Sequence, residues 1–276
     1  MNTIEKSRFN EAIVVKAKEF GATLAGIANV KNLMQAPSFT VAPKMPEYNG
    51  VGARDQKIHT RNSGEVDWPE EAKSVIVVAY THPESQPELD YWYGRSNPIG
   101  NKKLISIINN LKDWLQNTYN IVAVALPYHI EKGGIYLKDA AVLAGLGCVG
   151  KNNLLLTSEY GSRVRLRALA INIELASTGP ISFDPCTNCE EYCIQACPQK
   201  AFGKQIYTPR EYGREELPGR TGIYNRLDCN VQMKIDEENA KSQNVEGFEL
   251  PVQVVKYCRC CEFTCPIGSN GSKQLC

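Results

Sequence analysis

The sequence has little that would direct it to a membrane or a nucleic-acid duplex. It contains no uncharged apolar run of the roughly 18 residues that a membrane span needs, and its first residues lack the apolar segment of an export signal. The 31 Lys and Arg residues balance 30 Asp and Glu residues, so the net charge of +1 predicts no broad basic surface. Its three histidines form no H-x-x-H or H-E-x-x-H pattern, which argues against a catalytic zinc centre. We therefore expect a cytoplasmic protein with no membrane partner.

Cysteine is scarce in the first two thirds of the chain and abundant in the last third. Of 11 cysteines, only Cys148 precedes residue 185. A chain of 276 residues can bury a core unaided, and the odd cysteine count and missing export signal argue against a disulfide framework. The first run, C-x2-C-x3-C-x3-C-P, extends from Cys186 to Pro198, and the second, C-x-C-C-x3-C-P, from Cys258 to Pro266. This spacing is typical of a metal-binding region.

The two runs match the pattern of bacterial two-cluster ferredoxins, C-x2-C-x2-C-x3-C-P, in which the fourth cysteine binds the other cluster. Applied here, that rule assigns one 4Fe-4S cluster to Cys186, Cys189, Cys193 and Cys265. It assigns the other cluster to Cys197, Cys229, Cys258 and Cys261. The first run has one extra residue between Cys189 and Cys193, and Cys260 could replace Cys258 or Cys261. Two zinc sites are the alternative, because four-cysteine sets also suit zinc.

The region before the cysteine runs predicts a mixed α/β domain. Phe9, Ile13, Ala17 and Phe20 share one helical face, and Gly21 ends that helix. Helices are also predicted over residues 104–115 and 137–143, and strands over residues 23–28, 74–80, 121–126 and 163–175. The continuous apolar runs at 74–80 and 121–126 are typical of central strands that are covered on both faces. Residues 36–70 predict a long surface excursion.

One segment resembles a known family. The residues KDAAVLAGLGCVGKNNLLLT, from Lys138 to Thr157, and EYGSRVRL, from Glu159 to Leu166, resemble the AGLG-x-x-GK segment of the epoxyqueuosine reductases. These are cobalamin-dependent iron-sulfur enzymes, and their relatives include the reductive dehalogenases. The resemblance implies an α+β fold with two parts. A mixed α/β, nitroreductase-like domain over residues 1–180 would bind cobalamin, and a ferredoxin-like module over residues 181–276 would hold two 4Fe-4S clusters.

The resemblance also implies roles for individual residues. The loop after AGLG faces the corrin in that family, which makes Gly147, Cys148, Val149, Gly150 and Lys151 candidate cofactor-binding residues. The family's active-site acid lies thirteen residues before the first residue of AGLG, and Glu131 holds that position here. Simpler interpretations are a small buried thiol for Cys148 and a surface lysine for Lys151.

The expected function is an iron-sulfur oxidoreductase. Reduced ferredoxin or flavodoxin would deliver low-potential electrons through the two clusters to a bound cobalamin, which reduces a small-molecule substrate. One alternative is an electron-transfer protein that reduces a partner corrinoid protein without a cobalamin of its own. Another alternative is a zinc-stapled binding module. Family members that act on tRNA continue into a helical-repeat domain, whereas this sequence ends at Cys276, so we do not expect tRNA as a partner.

Overall fold

The computed structural model describes residues 3–44, 48, 50–53 and 64–269, with only the backbone of Thr3 and Glu131. The helices are α1 (Thr3–Glu19), α2 (Val30–Leu33), α3 (Pro37–Val41), α4 (Ile99–Tyr119), α5 (Leu137–Leu143), α6 (Tyr192–Gln195), α7 (Pro209–Tyr212), α8 (Arg226–Glu238) and α9 (Cys260–Phe263). The strands are β1 (Leu24–Asn29), β2 (Ser74–Thr81), β3 (Trp92–Tyr93), β4 (Ala123–Ala125), β5 (Cys148–Val149), β6 (Leu155–Leu156), β7 (Val164–Ile171), β8 (Lys241–Gln243) and β9 (Val252–Val255). No helix within these described ranges is both long and apolar enough to cross a bilayer.

A four-stranded antiparallel sheet in the order β1-β2-β7-β4 forms the centre of the fold. Helices α1 and α4 cover one face, where Ile13 and Leu111 pack against Ile76 of β2. Helix α5 covers the other face, where Ala140 packs with Val77. Because both faces are buried, β2 is a continuous apolar run without alternation. The predicted mixed α/β fold is confirmed.

Most predicted elements of this layer agree with the structure. Helix α1 buries Phe9, Ile13 and Ala17 as its periodicity predicts, and Gly21 follows it with a φ of +101° that favours glycine. Helix α5 has the predicted bounds, and α4 extends the predicted 104–115 at both ends.

The prediction of a central strand at residues 121–126 is wrong. Among the described residues, β4 pairs only with β7 and lies at the edge of the sheet. Val122 is 58% exposed and Val124 is 40% exposed, because the outward face of this short strand meets solvent. A run of valine and alanine occurs both in edge strands and in central strands, so the sequence alone does not distinguish an edge strand from a central one.

The described part of the cysteine-rich region, up to residue 269, contains four helices and a small sheet. In that sheet β3 pairs with β9, which also pairs with β8. Since β3 comes from residues 92–93, the two regions predicted as separate domains share a sheet, and the boundary near residue 181 stays a prediction. Arg163 makes a second connection: its guanidinium donates to the carbonyl oxygens of Phe263 and Ile267 at 2.9 and 3.0 Å. These contacts fix the second cysteine run against the end of the sheet.

Candidate functional site

The first group of thiols surrounds a small cavity. This cavity is lined by Cys186, Cys189, Cys193 and Cys265. Helix α6 carries Cys193 and packs against α9, after which Cys265 follows, so the two short helices bring sulfur atoms from both runs together. Burial, and then the nearby sulfurs of Cys265, Cys186 and Cys189, raise the pKa of the Cys193 thiol to about 12. Without a bound cation, the Cys193 thiol therefore holds its proton at neutral pH.

The second group of thiols lies on the wall of a much larger cavity of about 2000 Å³. The group contains Cys197, Cys229, Cys258 and Cys261. Burial raises the pKa of Cys261 well above its ordinary value, and the sulfurs of Cys258, Cys229 and Cys193 raise it further. Because Cys193 belongs to the first group, the two groups are neighbours in space. The backbone N–H of Ala201 donates to the sulfur of Cys197 at 3.3 Å.

Two observations bear on the alternative ligand assignments. Cys260 is disulfide-bonded, so the free thiols of the second run are Cys258, Cys261 and Cys265. Across the described ranges, no group of three or more His, Cys, Asp or Glu side chains is arranged to hold one metal ion. A structural zinc site needs four ligands about 2.0–2.3 Å from one point. No such four-ligand arrangement is found within the described ranges.

The large cavity lies where the sheet end, the loop after β4 and the cysteine-rich region meet. Its aromatic walls come from Trp92, Tyr128, Tyr136, Phe202, Tyr224 and Tyr257. Its cationic side chains include Lys138, Arg165, Arg226 and Arg259. A concave site of this size with mixed aromatic and polar walls is typical of the binding site for a large organic cofactor or substrate.

An ion-pair network joins the sheet to the cysteine-rich region at the edge of this cavity. Arg165 of β7 donates to both carboxylate oxygens of Asp90 at 3.0 and 3.1 Å, and to Glu262 of α9 at 2.9 Å. Arg259 contacts Asp90 at 2.8 Å and Glu262 through its Nε at 3.0 Å. His82 Nδ1 lies 2.9 Å from Asp90. Two guanidinium groups thus face two carboxylates in a partly buried site.

The network shifts the pKa of its members in opposite directions. Burial alone would raise the pKa of Asp90, but the hydrogen bond from His82 and the charges of Arg165 and Arg259 lower it to about 2. Burial lowers the pKa of His82 although Asp90 opposes that shift. Consequently, Asp90 is ionised and His82 is neutral at pH 7.

Two of the five residues predicted to bind the corrin, Cys148 and Lys151, lie beside the first thiol group. Residues 147–151 include β5, which pairs with β6, and none of the five lines the large cavity. Gly147 has a φ of +157°, and a Cβ there would lie 1.9 Å from the carbonyl oxygen of Leu156, so the close approach of the two strands requires glycine. Residues 152–155, which follow directly, do line the large cavity.

Cys148 and Lys151 both face the first thiol group. Cys148 packs against Cys186, and burial together with that neighbouring sulfur raises the pKa of Cys148 to about 11. Lys151 lines the small cavity, and its Nζ lies 2.6 Å from Glu191. Cys148 is thus a half-buried thiol and Lys151 is paired with Glu191, and their role as cofactor-binding residues stays a prediction.

The backbone of Glu131 lies in a short 3-10 helix, Ile130–Lys132. The preceding residues His129 and Ile130 and the following Gly133 line the large cavity. The side chain of Glu131 lies outside what the structure describes, so its role as proton donor stays a prediction.

Lys138 is a cavity residue that sequence analysis missed. It is the first lysine of the quoted KDAAVLAGLG segment, and its side chain is half-buried in the cavity wall. Its Nζ donates to the backbone oxygen and to Oδ1 of Asn153 at 2.7 and 2.8 Å. Burial lowers its pKa to about 8. A charged Lys-Asp pair at the start of a helix that is otherwise apolar was the available signal.

No protein-family model matches the sequence. Several curated proteins do match it. An epoxyqueuosine reductase of Lactococcus garvieae is 28% identical over 146 residues, 48% of this chain and 39% of the relative. One of Cyclobacterium marinum is 29% identical over 217 residues, 73% of this chain and 66% of the relative. A tetrachloroethene reductive dehalogenase of Desulfitobacterium hafniense is 38% identical over 199 residues, 64% of this chain and 32% of the relative. The chain thus spans from about a third to two thirds of the length of these relatives.

Solved structures with this fold carry the same names. An epoxyqueuosine reductase from Streptococcus thermophilus superimposes with a TM-score of 0.61 at 20% identity, covering 96% of this chain and 68% of that one. A reductive dehalogenase structure described as suggesting a mechanism for B12-dependent dehalogenation gives 0.58 at 14% identity, covering 95% and 32%. The names of the curated relatives and the fold of the solved structures therefore both confirm the resemblance seen in the sequence.

One comparison bears on the expected partners. An epoxyqueuosine reductase solved with an epoxyqueuosine-modified tRNA stem loop superimposes with a TM-score of 0.58 at 20% identity, covering 98% of this chain and 68% of that one. The expectation that tRNA is not a partner is therefore unsupported, because a protein with this fold binds a tRNA stem loop.

Proposed function

We propose that this chain is an iron-sulfur oxidoreductase that holds two 4Fe-4S clusters and a cobalamin. One observation carries the proposal: two groups of four thiols adjoin each other, and one of them opens on a cavity of about 2000 Å³. The reductase names of the relatives support an electron-transfer reaction. The cavity supports a large cofactor or substrate.

The donor set fits iron-sulfur clusters. Thiolates are the usual ligands of 4Fe-4S clusters, and each group supplies four cysteine sulfurs. Binding would release the proton that burial and neighbouring sulfurs hold on the Cys193 thiol. The hydrogen bond from Ala201 to Cys197 would raise the reduction potential of the second cluster.

The large cavity fits a cobalamin. Residues 152–155 and the aromatic side chains, including Trp92 and Tyr136, would hold its corrin ring against the end of the sheet. Bound cobalamin would supply cobalt chemistry that amino-acid side chains cannot provide. The cysteines of the second group lie on the same cavity wall, so a cluster there would adjoin the cofactor.

The chain itself would position the substrate and supply protons. The carboxyl of Glu131 is the proposed proton donor, because its backbone lies among residues that line the cavity. The aromatic walls would exclude water from a bound substrate. A reduced ferredoxin or flavodoxin would be the electron donor, and the substrate would be a small molecule or a modified base in tRNA.

Anaerobic purification with measurement of iron, cobalt and zinc tests this function. We expect about eight iron atoms per chain and visible absorbance that dithionite bleaches. The variants Cys193→Ala and Cys229→Ala should each lose about half of the iron, because each removes a ligand of one cluster. Cys148→Ala is the matched control and should keep all of it.

A spectral titration with hydroxocobalamin tests the second cofactor. Saturable binding of one cobalamin per chain is the expected result. Full iron content without cobalamin binding would instead indicate the electron-transfer protein without its own cofactor. Zinc in place of iron would indicate the zinc-stapled module and would overturn the proposal.

A further inference from the structure

A charged segment, residues 207–220, separates the two cysteine runs in the sequence and closes on itself in the fold. The backbone N–H groups of Ile206 and Tyr207 both donate to the carbonyl oxygen of Gly222, at 2.8 and 3.0 Å, so the two ends of the segment meet. Arg220 lies just before this closure with a φ of +70°, which residues other than glycine rarely adopt. Its side chain is 25% exposed. The segment thus holds one guanidinium in a defined and largely covered position.

Arg220 connects two elements beside the first thiol group. Its Nη2 contacts Oδ2 of Asp184, in the loop that leads into Cys186. Its Nη1 donates to the carbonyl oxygen of Val149 in β5 at 3.4 Å. Cys148, the other residue of β5, packs against Cys186. The guanidinium therefore lies next to the carboxylate that adjoins the first thiol group.

Asp184 shapes the loop that carries Cys186. Its Oδ1 accepts a hydrogen bond from the backbone N–H of Cys186 at 3.0 Å, and its Oδ2 accepts one from the hydroxyl of Thr187 at 2.8 Å. An aspartate that binds the N–H two residues ahead forms an Asx turn, which fixes the direction of the chain. The same carboxylate places a negative charge beside Cys186, whose side chain is buried. The loop therefore gains its shape together with a charge that Arg220 offsets.

A negative charge beside an iron-sulfur cluster would affect its reduction. Uptake of one electron from a donor such as dithionite makes a 4Fe-4S cluster one unit more negative, so a nearby anion disfavours reduction and a nearby cation favours it. Asp184 alone would therefore lower the reduction potential of a cluster bound by Cys186. The contact with Arg220 offsets that charge, while the hydrogen bonds from Cys186 and Thr187 to the carboxylate remain.

We propose that Arg220 is a positioning residue for the first cluster, the one that the first thiol group would hold, and that it raises the reduction potential of this cluster by offsetting the charge of Asp184. The inference rests on the proposed function, because it concerns a cluster that this function requires. The charged segment follows Cys197 and precedes Cys229, which would both bind the second cluster, yet its arginine acts on the first.

A redox titration of the anaerobically purified chain, followed by EPR spectroscopy, tests the proposal. Arg220→Met should shift the midpoint potential of one cluster to a more negative value and leave the other unchanged. Arg220→Lys keeps the positive charge and should restore most of the potential. Asp184→Asn should shift the same midpoint in the opposite direction, because it leaves the charge of Arg220 without its carboxylate. Arg210→Met is the matched control, since Arg210 is an exposed arginine of the same segment, and it should shift neither midpoint.

A second background assigns the shift to one cluster. In Cys193→Ala, which should lack the first cluster, adding Arg220→Met should leave the remaining midpoint unchanged. Iron content and thermal unfolding show whether each variant keeps both clusters and its fold. If Arg220→Met loses iron, the direction of the shift in Asp184→Asn decides the question.

The outcomes separate this inference from the proposed function. Midpoints that stay unchanged in Arg220→Met and Asp184→Asn, with about eight iron atoms retained, overturn the inference but not the function. A shift in the same direction in both variants also overturns it, because a loosened loop and not a charge would then be the cause. A wild-type chain that contains no iron overturns the proposed function and the inference together.

Discussion

Replacing Glu262 by glutamine tests the ion-pair network between the sheet and the cysteine-rich region. The Glu262 side chain is only 4% exposed and accepts hydrogen bonds from Arg165 at 2.9 and 3.3 Å and from Arg259 at 3.0 Å. Glutamine keeps the shape, but it removes the negative charge and turns an N–H2 group towards one guanidinium. Breaking a buried pair from one side costs about 3–5 kcal/mol. Because Asp90 still contacts both arginines, we expect the lower end, about 3 kcal/mol.

Thermal unfolding of the purified protein measures this effect. For a chain of this size, 1 kcal/mol lowers the midpoint by roughly 2–4 °C, so Glu262→Gln should lower it by roughly 6–12 °C. Glu174→Gln is the matched control, because Glu174 pairs with Lys31 at 2.9 Å on the surface, and it should leave the midpoint unchanged. A shift of less than roughly 2 °C in Glu262→Gln would refute the reasoning, since it would mean that desolvation cancels the attraction within the network.

Three further changes should have measurable effects. The pKa of Asp90 is about 2 in the folded chain and 3.8 ordinarily, so its ionised form contributes about 2 kcal/mol above pH 4 that is lost as the pH falls towards 2. Asp90→Asn should therefore be less stable at pH 7 and should lack this part of the acid transition in a series of unfolding curves. Gly147→Ala should lower the free energy of unfolding by more than about 1 kcal/mol, because the added Cβ would collide with the carbonyl oxygen of Leu156. A denaturant titration that gives the variant the same stability as the wild type would contradict the structure. Arg163→Met should expose the second cysteine run to limited proteolysis, since its side chain binds the carbonyl oxygens of Phe263 and Ile267; an unchanged cleavage rate would count against that role.

The sequence predicts the local elements better than their surroundings. The periodicity of apolar residues locates α1 and α5, since burial of one helical face follows from the sequence itself. The same reasoning misplaces residues 121–126, because edge and central strands differ in their neighbours and not in their own residues. Cysteine spacing predicted groups of four thiols, and the structure brings those same sulfurs together.

The sequence predicts less of the site around the cavity than of the local elements. Residues 147–151 are close in the chain to the cavity, but none of them lines it, and Cys148 and Lys151 lie at the first thiol group instead. Asp90, Arg165 and Glu262 are far apart in the sequence and carry no motif, so only the fold reveals their contacts. Lys138 could have been noticed as half of a charged Lys-Asp pair at the start of α5, although its hydrogen bonds to Asn153 depend on the following turn.

Cys265 joins the first thiol group although it follows the second group's last member along the chain. During synthesis, Cys186, Cys189 and Cys193 leave the ribosome some seventy residues before this fourth partner. Neither group of four thiols is complete until the segment from residue 258 to residue 265 has emerged. Metal loading would therefore follow translation of nearly all of the described chain, and a nascent chain that stalls earlier would present open, oxidisable sulfhydryls to the cell.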